Sequence, residues 1–163
     1  MKRALFLLIL INIFASCSTL KKISGEPTIE VKSQQLEKAV HESVKKLLSE
    51  YWLSDFLVQH NERPVLMTSN FTNPTNAKIS IPELYNMIEM DLIESGQVRV
   101  VKSNYEQQNK TPTTLSTGIS VDYVLSATFE KKQETTPAIL IFQLSLWDEN
   151  STTPLTTISK EIN

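Results

Sequence analysis

Between Pro64 and Val101 the chain reads strand, capped helix, strand, and that order leaves few folds open. Val65 to Phe71 is a short apolar stretch opened by Pro64, at a position where a strand tolerates a missing N–H. Thr72 to Lys78 is a polar loop, and Ser80-Ile81-Pro82-Glu83 has capping-box spacing with the proline inside the first turn. Leu84, Met87, Ile88, Met90 and Leu92 supply the apolar face of the helix that follows. Gly96 suits its left-handed stop. Val98 to Val101 is then a second strand. A helix joining two strands within about 40 residues implies a parallel pair with a right-handed crossover.

Downstream the period changes to two. Val121, Tyr123, Leu125, Ala127 and Phe129 alternate with Asp122, Ser126, Thr128 and Glu130, and in Ala138 to Trp147 the positions Leu140, Phe142, Leu144 and Leu146 share one face. The turns are expected at Glu134-Thr135-Thr136-Pro137 and Asp148-Glu149-Asn150. Leu155 to Ile162, rich in Ser and Thr, is a last strand at or near an edge. Upstream, Leu36, Val40, Val44, Leu47, Leu48 and Tyr51 line one side of a helix whose other side mixes Glu37, Lys38, Glu42, Lys45 and Lys46. The mixed charge signs favour a helix docked on its own domain over a partner-binding or membrane-surface helix, with Trp52 and Phe56 extending its apolar surface. The fold class is mixed α/β: a mixed parallel and antiparallel sheet with helices packed on it, strand–helix–strand followed by a three-stranded antiparallel meander. Lys102 to Gly118 is polar, with a helical turn at Asn104 to Lys110 and a loop at Thr111 to Gly118.

The N-terminus addresses location. Lys2 and Arg3 precede an apolar run from Ala4 to Phe14, and Ala15-Ser16 lead into Cys17, the chain's single cysteine. This is the order of a secretory signal. Its apolar core is well short of the roughly 20 residues that span a bilayer. Phe14-Ala15-Ser16-Cys17 resembles a bacterial lipobox, which makes Cys17 an acylation site at the membrane. Ser18 follows it, and resemblance to enteric-type bacterial lipoproteins, where the absence of Asp at that position goes with outer-membrane sorting, implies an outer-membrane location facing the periplasm. Residues 1–16 are then a signal peptide, 17–34 a lipidated start and polar tether, and 35–163 one domain. Without a second cysteine, stability rests on packing rather than disulfides. Removing the signal leaves 14 basic against 18 acidic residues, a formal charge of −4. No basic stripe invites nucleic acid.

Catalytic chemistry finds no foothold. His41 and His60 lack partners at ligand spacing, three glycines cannot build a phosphate cradle, and no nucleophile elbow occurs. Asp55, Glu89, Asp91 and Glu94 fit a solvated helix face better than an acid–base pair. The expectation is a non-catalytic monomer without metal, cofactor or small-molecule substrate. Trp52 and Trp147 are the candidate partner-contact residues, against the alternative of half-buried packing.

Several blocks taken together resemble the LpoB family: Arg63-Pro64-Val65-Leu66-Met67-Thr68-Ser69-Asn70-Phe71-Thr72-Asn73, Glu94-Ser95-Gly96-Gln97-Val98-Arg99-Val100-Val101, Val121-Asp122-Tyr123-Val124-Leu125-Ser126-Ala127 and Ser159-Lys160-Glu161-Ile162. The resemblance implies an outer-membrane lipoprotein that binds and activates a class A penicillin-binding protein and so regulates peptidoglycan synthesis. It also implies a fold like the N-terminal domain of TolB. An assembly or secretion lipoprotein of the CsgG or TolB type, or a generic periplasmic protein-binding lipoprotein, is the alternative. The family's tether is long and Pro-rich, whereas this chain offers about seventeen residues before its first helix. Either the synthase reaches outward, the helix melts into tether, or the partner differs.

Overall fold

The computed structural model describes residues 29–101, 120–132, 139–148 and 151–162. Three helices, α1 (Ser33–Leu48), α2 (Tyr51–His60) and α3 (Ile81–Ser95), combine with five strands, β1 (Val65–Thr72), β2 (Arg99–Val101), β3 (Tyr123–Lys132), β4 (Ile139–Asp148) and β5 (Thr156–Ile162). The strands form one sheet in the order β2-β1-β3-β4-β5. β1 pairs parallel with both β2 and β3, and β3-β4-β5 is the antiparallel meander. The expected fold class is the observed one, with β5 at an edge.

Period two decides which face is covered. Leu125, Ala127 and Phe129 of β3 and Leu140, Phe142, Leu144 and Leu146 of β4 form one core with Leu36, Val40, Val44 and Leu47 of α1 and Leu84, Ile88 and Leu92 of α3. Fully burying each of the Leu, Ile, Val and Phe side chains among them contributes about 1.5–3 kcal/mol before entropy is charged. On the other face Val124, Ser126, Ile141, Ser145 and Trp147 are only half-buried.

Ser80 caps α3 by accepting from the Glu83 N–H at 3.4 Å, Pro82 lies in the first turn, and Gly96 ends the helix at φ 63°. β1 carries a register shift between Thr68 and Phe71, where Asn70 takes φ 55°. An asparagine tolerates that left-handed state better than most residues. The bulge turns Phe71 inward to stack on Tyr85, with ring centroids 3.9 Å apart.

Four expectations need correcting. The first helix does not run through Tyr51: it stops at Leu48, and α2 restarts at Tyr51, which is 77% exposed. The face of α3 is Leu84, Tyr85, Ile88, Glu89 and Leu92, leaving Met90 58% exposed. Glu89 lies inside rather than on a solvated face: its Oε1 accepts from Thr68 Oγ1 at 2.9 Å, tying α3 to β1. The polar tether does not extend to residue 34. Ile29 and Val31 already pack against the core, and the Lys78 N–H donates to the Ile29 carbonyl at 3.2 Å. The readings at 104–118 and 134–137 lie outside the described residues.

Candidate functional site

The two ends of the domain differ in chemistry. At one end, the Ile29 strap meets the loop that follows β1 and the starts of α1 and α3. Val31, Leu36, Lys78, Ser80, Glu83 and Met87 line an open groove of about 390 Å³ there. Lys78 reaches Glu30 at 3.9 Å.

At the other end, α2 closes the core. Trp52 is 7% exposed, and its indole N–H donates to the Leu47 carbonyl at 2.8 Å while its ring meets Tyr123 edge-on at 5.2 Å. Phe56 meets the same tyrosine at 5.7 Å and stacks on His60 at 4.2 Å. Burial raises the Tyr123 phenol above its ordinary pKa, and the nearby Asp148, Asp122 and Asp55 carboxylates add to the rise. Below Tyr123 the chain locks to β1 twice: the Val65 N–H donates to Asp122 Oδ2 at 2.7 Å, and the Asp122 N–H to the Val65 carbonyl at 3.0 Å.

The sequence candidates therefore separate. Trp52 is a core residue that offers no ring to a partner in this arrangement. Trp147 is half-buried on the other face of the sheet, and its indole N–H donates to Ser126 Oγ at 2.8 Å. Cys17 lies outside the described residues. His41 sits on α1 with Nδ1 3.4 Å from Asp91 Oδ1 of α3. The helical carboxylates do not act together: Glu89 bonds Thr68, Asp91 faces His41, and Asp55 accepts from Gln59 at 2.8 Å. Among the described residues no three His, Cys, Asp or Glu side chains are grouped to hold a metal. No helix among them is long and apolar enough to cross a membrane. What reading from sequence missed is exposed Tyr51, Leu57 and Val58 on α2. Val58 is seven residues from Tyr51, which places both on one side of the helix.

The chain belongs to the LpoB family, described as peptidoglycan-synthase activators, whose family model matches residues 35–138. Among solved structures it is similar to the LpoB C-terminal domain from Escherichia coli, at a TM-score of 0.56 and 15% identity, covering 78% of this chain and 98% of that one. It is also similar to the LpoB C-terminal domain from Salmonella enterica, at 0.50 and 14%, covering 78% and 97%. At such identity the likeness concerns fold. No curated protein sequence matches the chain.

Proposed function

We propose that this chain is a non-catalytic lipoprotein, anchored in the outer membrane through acylated Cys17, that binds a class A penicillin-binding protein in the periplasm and favours its active state. The family match over residues 35–138 carries this reading. Activation needs no reacting group here. A partner with active and inactive conformations is switched by any surface that binds the active one more tightly, and only by that difference in affinity.

The strap at Ile29 sharpens the geometry. Cys17 and Ile29 are twelve residues apart, a maximum of roughly 40 Å at full extension. A domain of this size adds roughly 35–40 Å. The contact therefore forms within about 80 Å of the lipid anchor, and the synthase must reach outward to meet it.

Two measurements test the reading. Metabolic labelling with an alkyne fatty acid should mark the wild-type chain and not Cys17→Ser. Crosslinking in intact cells should capture a class A penicillin-binding protein. An unlabelled wild-type chain removes the anchor from the proposal, and crosslinks that never contain a synthase remove the partner.

A further inference from the structure

The geometry points to the outer face of α2, centred on Tyr51 and Val58, as the surface that receives the synthase. This rests on the proposed function and adds the place of contact.

The first observation is exposure. Tyr51 and Val58 are 77% and 84% exposed, and Leu57 is also open, on a helix whose Trp52, Leu53 and Phe56 are buried. Stability of the domain does not explain why a ten-residue helix carries apolar groups on both sides. An exposed tyrosine beside aliphatic carbon is the composition of a protein-binding centre, where aromatic anchors dominate the energy.

The second observation is where the anchored chain enters. Ile29 is bonded to Lys78 in the loop beyond the C-terminal end of β1, at the start of α1. α2 follows the far end of α1, which is about 24 Å long, and packs on Tyr123, the partner of Leu66 near the opposite end of β1. Chain coming from an anchor at Cys17 therefore enters at the Ile29 end, and α2 stands at the opposite end of the domain, clear of that entry. Trp147, next to the Asp148 that pairs with Tyr123, lies at the same distal end.

The third is charge. Between Glu50 and Glu62 the chain carries no lysine or arginine, and with Glu62 paired to Arg99 at 3.5 Å, Glu50 and Asp55 are the acidic groups beside Tyr51 and Val58. The complementary surface is a protein patch with an apolar recess for a tyrosine ring and basic groups around it.

The test uses the chain from residue 17 onward with Cys17→Ser, in four forms: otherwise unchanged, Tyr51→Ala, Val58→Glu, and Gln34→Glu, exposed at the start of α1 at the Ile29 end, as control. Affinity for the purified cognate synthase is measured by surface plasmon resonance, with thermal unfolding beside it. Tyr51→Ala and Val58→Glu should each weaken binding by about 10-fold or more at unchanged unfolding midpoints, while Gln34→Glu stays within about two-fold. Unchanged affinity in both α2 variants overturns the assignment and leaves the proposed function standing. No binding by the otherwise unchanged chain overturns both. Binding to phosphatidylglycerol vesicles that Val58→Glu abolishes, with synthase affinity intact, gives the face to the membrane and overturns the assignment as well.

Discussion

The indole N–H of Trp52 donates to the carbonyl oxygen of Leu47 at 2.8 Å, so a residue in the first turn of α2 also finishes the helix before it. The last carbonyls of a helix have no partner within it. Leu47 receives two, the indole and the Glu50 N–H at 3.2 Å. Trp52→Phe keeps an aromatic ring against Tyr123 and loses one hydrogen bond, and it should cost about 1 kcal/mol. Trp52→Ala also opens a cavity beneath α2 and should cost roughly 3–5 kcal/mol. Urea unfolding of both variants measures the difference.

Ser43 lies buried in α1, and its Oγ has no hydrogen-bond partner among the described residues. Burying an unpaired hydroxyl is unfavourable, and alanine is the better helix former. Ser43→Ala should therefore stabilise the domain by about 1 kcal/mol. A lower unfolding midpoint would show that the hydroxyl is paired after all.

Glu42 of α1 bonds Lys160 of β5, a contact that holds the helix across the sheet edge. The Lys160 hydrogen bond lowers the Glu42 pKa, against a desolvation effect that raises it, and the charges of Lys160, Lys38 and His41 lower it further. A carboxylate depressed in the folded state contributes stability above its ordinary pKa and loses it as pH falls through the lowered value. Lys160→Ala should return Glu42 to the ordinary glutamate range in a side-chain carboxyl NMR titration. It should also flatten the acid limb of the stability profile.

Gly96 closes α3 at φ 63°, with open space where a Cβ would stand. The cost of a side chain there is backbone strain alone. Gly96→Ala should destabilise by about 1 kcal/mol and Gly96→Asn by less, since asparagine enters the left-handed region more readily. Chemical denaturation of the pair distinguishes this from a clash, which would penalise the larger residue more.

What could be read from the sequence was local. Ser80, Pro82 and Gly96 marked α3 because caps act within one turn, and alternation in 121–129 and 138–147 marked the meander because strand period ties pattern to face. Contacts distant in the chain were not legible. The break at Ser49 has neither glycine nor proline to announce it, and what holds α2 in place is its packing on Tyr123. Met90 was misplaced because hydrophobicity was counted without angle: it lies about 200° around the helix from Ile88. Tyr85 and Glu89 occupy the covered stripe instead. Glu89 is admitted there by Thr68, a β1 residue whose inward direction becomes visible only once the strands are paired. Tyr51 was assigned to the core because α1 was read straight through the break at Ser49, and the exposed face of α2 was lost with it.

The central claim, that the chain acts by docking rather than by transforming a substrate, is tested most directly by the glycan polymerisation rate of the purified cognate class A synthase. The rate is followed with fluorescent lipid-linked precursor, with and without the Cys17→Ser chain from residue 17 onward. A rate that rises several-fold and saturates with added chain, with no turnover by the chain alone, is the predicted result. An unchanged rate at saturating chain, or precursor consumed in the absence of synthase, contradicts it.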